Sequence, residues 1–347
     1  MDDTDKQLLA ALQRDVPVVF RPFAELGKPL GLDETSVLDR VRRLKSDRVI
    51  RQISAIFDTT SLGYQSSLVA ARCDPARLDE AAAAINAHPG VSHNYQRDHA
   101  FNLWYTIAVS PTSRLGLERT VEILHRQSGA LSTRLLPTLR LFKIGVELNL
   151  ETSASVTGKT GVTGYSHKNR KPAVPLNDLE IRFVREMQKD LPVETDPFTA
   201  VAGKLGVTLD ELGRMTDAMR ADGRLRRFSA VLRHREAGFS ANGMGIWAAP
   251  GNDADIEAAG ETMAAFRAVT HCYRRPTYPD WPYNLFTMIH ARSREDCAAV
   301  VAAIAGETGI ADHAVLYSTK EFKKTRVAYF TDAESLWETA HLDDAPA

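Results

Sequence analysis

The chain repeats itself. Shifted by 175 residues, Asp3 falls on Asp178, Pro22-Phe23 on Pro197-Phe198, Gly31 on Gly206, Ser54-Ala55 on Ser229-Ala230 and Gly63-Tyr64 on Gly238-Phe239. The shift grows to 178 at His93/His271 and to 182 at Asn102/Asn284, so the second copy carries insertions of three and four residues. Whatever one copy folds into, the chain must build twice, and two such units fused in tandem form an intramolecular pseudo-dimer about a pseudo-twofold axis. Between them Glu151–Pro175 is rich in Ser, Thr, Gly, Lys and Pro and reads as a solvated linker.

One copy reads as two small domains. Asp2–Arg14 places Leu8, Leu9 and Leu12 on one helical face. Pro22 starts a second helix, and Val37, Val41 and Leu44 mark a third. Short apolar runs at Val49-Ile50 and Ile53–Phe57 complete a winged helix-turn-helix, with those runs as its hairpin. From Tyr64 the order becomes strand, helix, strand, strand, helix, strand, a ferredoxin-like βαββαβ unit. The fold class is therefore α+β, a tandem duplication of winged helix plus ferredoxin-like domain. The divisions are 1–60 and 61–150 in copy one, 151–175 as linker, 176–235 and 236–330 in copy two, and 331–347 as a C-terminal tail.

Composition narrows the function. A net charge of −1 over 347 residues gives no bulk field for nucleic acid or an anionic membrane. Three widely spaced cysteines argue for a reducing compartment and against a disulfide framework or zinc site. No secretory or membrane-spanning pattern is present, so a cytoplasmic location is expected. Copy one's third helix carries Arg40, Arg42, Arg43 and Lys45, which could meet phosphates. Its copy-two counterpart is acidic, with Asp210, Glu211, Asp217 and Asp222. A DNA reader needs two like helices for two half-sites. DNA is therefore not the expected partner, and the basic run reads first as a solvated face or a contact between copies.

The chemistry concentrates in Val91–Ser110 and Val269–His290. Both open with Val-x-His-x-Tyr and contain aromatic-Asn-Leu-aromatic, and each reads as the central hairpin of its sheet. Arg97, Arg274 and Arg275 offer paired donors to carboxylates. Tyr95, Tyr273, Tyr278 and Trp281 can cover a flat ring system. Arg226, Arg227, Arg233 and His234 add cations and a titratable group at the copy-two wing. Where copy one has His99, copy two has Trp281 in a loop enlarged by Pro276–Pro279. This asymmetry points to one pocket, mostly in copy two, with copy one reaching across.

The paired domains resemble the Lrp/AsnC regulators over nearly all of each copy. The motifs His93-x-Tyr-x-Arg-Asp-His-x-Phe-Asn-Leu-Trp and Cys272-Tyr-x-Arg-Pro-x-Tyr-Pro-x-Trp-Pro-Tyr-Asn-Leu-Phe-Thr, with Arg226–His234, are similar to those of the two halves of siroheme decarboxylases. The resemblance implies a carboxy-lyase in haem d1 or alternative haem biosynthesis. It would remove CO2 from the C12 and C18 acetates of siroheme to give 12,18-didecarboxysiroheme. No cofactor is implied, since the iron belongs to the substrate; other tetrapyrrole enzymes would be its neighbours. The resemblance assigns proton donation to histidine, with His99 and His234 first and His271 and His93 behind. Which donates, and whether one of His99, His234 and His271 ligates the siroheme iron, stays open. Two other readings remain at this point, a regulator with a tetrapyrrole effector and a tetrapyrrole carrier without turnover.

Overall fold

The computed structural model describes residues 1–144, 157–159, 175–232 and 241–342. Most of the expected linker, together with Arg233 and His234, lies outside the described residues. In copy one, α1 (Asp3–Arg14) starts at a capping box between Asp2 and Asp5 and buries Leu8, Leu9 and Leu12. Helices α2 (Pro22–Gly27) and α3 (Glu34–Ser46) follow, the first with Pro at its opening position and the second capped by Asp33. Then come β1 (Ile50–Phe57), β2 (Gln65–Arg72), α4 (Leu78–Asn86), β3 (Val91–Arg97), β4 (Leu103–Val109), α5 (Gly116–Ser128), β5 (Ser132–Leu136) and β6 (Arg140–Ile144). Copy two supplies α6 (Asp178–Met187), α7 (Pro197–Leu205), α8 (Leu209–Ala221), β7 (Leu225–Leu232), β8 (Ala241–Trp247), α9 (Asp253–Ala265), β9 (Val269–Arg274), β10 (Leu285–Ala291), α10 (Arg294–Thr308) and β11 (His313–Lys324). A last helix, α11 (Asp332–His341), follows the repeat.

The expected wing hairpin does not form within a copy. Nothing between Ile50 and Ile53 favours the left-handed backbone of a tight hairpin turn, so the segment runs on as one strand. Strand β1 pairs antiparallel with β7 of the other copy. Ser54 faces its own repeat counterpart Ser229, and Ile53/Ala230 and Ala55/Phe228 exchange symmetrically on either side. The pseudo-twofold axis therefore passes through this two-stranded ribbon. One apolar core runs beneath it, joining Leu8, Leu12, Phe23 and Val41 to Phe183, Phe198, Leu212 and Phe228.

The ferredoxin-like halves merge into one antiparallel sheet ordered β5-β2-β4-β3-β11-β8-β10-β9-β6. The first half of β11 pairs with β8 and the second half with β3, so this strand crosses from copy two to copy one. Its counterpart is split. Pro137 has no N–H to give to a ladder, and β5 and β6 lie on either side of it. Strand β5 stays on β2, while β6 crosses to β9. The two ends of the strand order are thus neighbouring segments of chain, and the sheet wraps around an interior shared by both copies. Helices cover the outside, and copy one and copy two each keep an outer core, the second including Trp247, Met263 and Phe266.

The residues after the repeat are not a loose tail. Helix α11 lies on copy one, where Glu338 accepts from the backbone N–H groups of Arg114 (3.2 Å) and Leu115 (3.1 Å) and from the Ser113 hydroxyl. It thereby holds the turn that leads into α5, while the Ser113 hydroxyl oxygen accepts from the N–H of Gly116, the first residue of that helix. The α3 cations are engaged as well. Arg40 and Arg43 both donate to buried Asp5, Lys45 to Asp190 and Arg42 to the Val193 carbonyl. No helix among the described residues is long and apolar enough to cross a membrane.

Candidate active site

The alternation of a strand places His93, Tyr95 and Arg97 of β3 on one face and buries Asn94 on the other. The same period in copy two aligns His271, Tyr273 and Arg275, the last just beyond β9. All six side chains line a single cavity of about 550 Å³, together with Leu68, Trp104, Thr106, Met244, Phe286 and Met288. The cavity lies in the shared interior of the wrapped sheet.

The two arginines set its electrostatics. Arg97 and Arg275 are each 8% exposed. Arg97 donates from Nη1 to the Leu316 carbonyl at 3.0 Å, and Arg275 donates to the Leu136 carbonyl. Each bond crosses to the other copy. The Nε of both guanidinium groups is buried with no hydrogen-bond partner among the described residues. Burial pushes both down to about 10; Tyr95 and Asp98 oppose this at Arg97, and Tyr273 at Arg275, without offsetting the lost hydration. Aromatic faces give partial support, with the Arg275 Cζ 4.8 Å from the Tyr273 ring centre and the Arg97 Cζ 5.9 Å from that of Trp104.

Each cavity histidine is oriented by the hydroxyl of the residue before it. His93 Nδ1 lies 3.0 Å from Ser92 Oγ, and His271 Nδ1 lies 2.9 Å from Thr270 Oγ1. That engagement leaves Nε2 as the nitrogen for other chemistry. Thr270 Oγ1 also lies 2.9 Å from His290 Nδ1, whereas copy one has Ala108 at that place. Burial, then nearby Lys324, lowers the affinity of His93 for a proton. Burial, then His290, pushes His271 down to about 4. Both imidazoles are neutral near pH 7 while the cavity holds no anion. His93 lies 6.2 Å from the Tyr95 ring and His271 6.1 Å from the Tyr273 ring, so the pairs have matching layouts.

The remaining sequence candidates sit elsewhere. His99 is outside the cavity lining, half-buried, with its Nδ1 accepting from the Phe101 N–H at 3.0 Å. Its ring meets Trp281 edge-on at 5.6 Å. Trp281 is fully buried among Phe101, Trp104 and Phe286. Around it, the enlarged loop reaches from copy two onto copy one. Tyr278 donates to the Leu135 carbonyl at 2.6 Å, and Asp280 receives Arg134 at 2.7 and 2.8 Å. The reach across the pseudo-twofold is thus made by copy two's loop rather than by a copy-one histidine. Arg274 points away from the cavity to Asp253 (2.6 Å), and Arg226 pairs with Asp58 (2.7 Å). Arg227 lies exposed on β7.

Sequence reasoning left out Trp104, Thr106, Met244, Phe286 and Met288. The aromatic-Asn-Leu-aromatic motif held the signal, because its second aromatic is Trp104 in one copy and Phe286 in the other. Its asparagine is a clamp: Asn102 exchanges two bonds with the backbone of Cys73, and Asn284 two with Ala249, all at 2.9 Å.

Comparison with known proteins agrees with this division. The AsnC-like ligand binding domain matches residues 61–143 and 236–323, and the siroheme decarboxylase NirDL-like HTH domain matches residues 5–51 and 180–226. A siroheme decarboxylase of Hydrogenobacter thermophilus is 39% identical over 95% of this chain and 96% of its own. The chain belongs to the siroheme decarboxylase family. As a member it is a carboxy-lyase, and its two copies correspond to partners that occur separately elsewhere. The siroheme decarboxylase beta subunit of Methanosarcina barkeri is 41% identical over 44% of this chain and 99% of its own. The crystal structure of the siroheme decarboxylase NirDL in co-complex with an iron-uroporphyrin III analogue superposes with a TM-score of 0.79 at 32% identity, covering 99% of both chains.

Proposed function

We propose that the shared cavity binds siroheme, that Arg97 and Arg275 hold its carboxylates, and that a cavity histidine supplies the proton replacing each CO2 lost from the C12 and C18 acetates. The observation that carries this reading is the pair of buried guanidinium groups in a cavity with no carboxylate among its described lining residues, each with its Nε unsatisfied among the described residues. Two buried cations with no ion-pair partner among the described residues are costly unless a ligand brings the anions. Siroheme brings eight carboxylates on a flat macrocycle, and Tyr95, Tyr273, Trp104 and Phe286 supply the apolar surface such a ring needs.

The chemistry needs no further cofactor. Breaking the bond between the acetate methylene and its carboxylate leaves an electron pair that the adjoining macrocycle delocalises. A proton then converts the methylene to a methyl group. The carboxylates of the ligand raise the proton affinity of His93 and His271 when they enter, so binding itself charges the donor. Anaerobic incubation of the pure protein with siroheme, followed by mass spectrometry, tests the reading. Loss of two CO2 is expected, and recovery of unchanged siroheme would refute it. Arg97→Met combined with Arg275→Met should abolish tetrapyrrole binding, read by absorbance titration.

A further inference from the structure

The pseudo-twofold axis that passes between Ser54 and Ser229 also relates the two walls of the cavity. His93, Tyr95 and Arg97 on one side are answered by their counterparts His271, Tyr273 and Arg275 on the other. The anchors repeat too: Arg97 is tied to Leu316 and Arg275 to Leu136, equivalent residues of the opposite copies. A cavity of about 550 Å³ is the size of a site for one ligand. One bound molecule therefore faces two equivalent sets of imidazole, phenol and guanidinium groups.

Siroheme carries a matching symmetry. The fourth ring is reversed relative to the third, so the substituents from C12 to C18 run acetate, propionate, propionate, acetate. A twofold line in the macrocycle plane, through the meso carbon between those rings, exchanges the C12 acetate with the C18 acetate. We propose that one bound siroheme lies along the protein's pseudo-twofold axis, with one reacting acetate at His93-Tyr95-Arg97 and the other at His271-Tyr273-Arg275, so that each set removes one CO2. The inference rests on the siroheme reading above. At each set the carbon–carbon bond breaks with its electron pair kept by the methylene carbon. CO2 departs, and the imidazolium of that set delivers one proton to the same carbon. The substrate need not leave or turn over between the two steps. The sets are not identical, because the His271 hydroxyl partner also holds His290 while copy one has Ala108 there. The two steps are therefore expected to differ in rate.

Regiochemistry tests the proposal. Full-length His93→Gln and His271→Gln proteins are incubated anaerobically with siroheme, and the singly decarboxylated product is isolated. NMR then shows whether C12 or C18 bears the new methyl group. Removing a proton donor slows its own step by about 10²- to 10⁴-fold. Each variant should therefore stall after one CO2, and the two variants should give opposite isomers. The same isomer from both, loss of both steps in either, or full double decarboxylation by either would overturn it. Arg97→Lys and Arg275→Lys should bias the isomers in the same opposite senses, which keeps the test decisive if a histidine variant does not fold. Wild-type protein that leaves siroheme unchanged would refute the siroheme reading itself. Active wild type with same-isomer variants would overturn only the two-set proposal.

Discussion

Arg275→Met should make the ligand-free protein more stable and the liganded protein harder to form. The guanidinium is 8% exposed and its proton affinity falls from the ordinary arginine value to about 10. Such a depression corresponds to a folded-state penalty on the order of 3 kcal/mol for the cation. The sign at neutral pH follows. Both folded and unfolded states carry the charge at pH 7, so the penalty is fully present there and would fade only in strong alkali. Methionine fills a similar volume without a charge. Against the gain stands the bond to the Leu136 carbonyl, whose loss leaves a buried acceptor costing about 1–3 kcal/mol. The balance is a gain of about 1 kcal/mol, within the range seen when buried charges are replaced by apolar groups. Binding should move the other way, because a charge-assisted hydrogen bond to a carboxylate contributes about 1.5–3 kcal/mol, or roughly 10- to 100-fold in Kd. Urea denaturation without ligand and absorbance titration with an iron tetrapyrrole measure the two effects. A ligand-free variant destabilised by more than about 1 kcal/mol, or one with unaltered affinity, would show that Arg275 serves the fold rather than the ligand.

Acid should weaken the fold through its buried histidines. Burial, first of all, holds His271 at about 4 and His88 at about 3, below the ordinary 6.5. The unfolded chain therefore takes up protons first as pH falls, and stability is full above about 6.5 and lost progressively toward pH 4. Each group contributes roughly 2 kcal/mol of that loss by pH 5; a urea midpoint that does not fall between pH 7.5 and 5 would contradict it. Glu338→Ala leaves the Arg114 and Leu115 N–H groups ahead of α5 without their acceptor and should cost about 1–3 kcal/mol, visible as a lower Tm. Gly260→Ala would drive its Cβ into the Phe142 ring, where β6 of copy one packs against α9 of copy two. Overpacking there should cost about 1–3 kcal/mol despite alanine's better helix propensity. A Tm at or above that of wild type would mean that the ring moves aside at little cost.

The repeat, the helix positions and the βαββαβ order were legible because each rests on local pattern. The hydrophobic period of α1 and α3, the Pro at the start of α2 and α7, and the duplicated hairpin motif are properties of short segments. What was not legible depends on one copy meeting the other. Strand β1 has the composition of a hairpin arm, and nothing local says that its partner is β7, far along the chain. Trp281 and Tyr278 carry aromatic side chains suited to a ligand face, yet Trp281 is enclosed by residues of both copies and Tyr278 is fastened to β5. Arg274 and Arg275 look equivalent in sequence. The period of two along β9 separates them, sending Arg274 to α9 and Arg275 to the cavity. That period was available and could have distinguished them.

Fusion also explains how a nearly symmetric cavity can have asymmetric walls. In a dimer of identical chains every substitution appears twice, so a tryptophan placed at 281 would also replace His99. Two copies in one chain escape that constraint. Copy two gains an inserted loop whose Asp280 grips Arg134 and whose Trp281 packs against Trp104, while copy one keeps a short turn at the equivalent place. The latch is thus built once and from one side. Three pairs facing the cavity keep their residue types, His93/His271, Tyr95/Tyr273 and Arg97/Arg275, while other lining positions differ, Trp104 against Phe286 and Thr106 against Met288. Divergence falls on the apolar lining and the packing around the cavity, while the imidazole, phenol and guanidinium groups keep their identity. This distribution is what the proposed binding of siroheme along the pseudo-twofold would require.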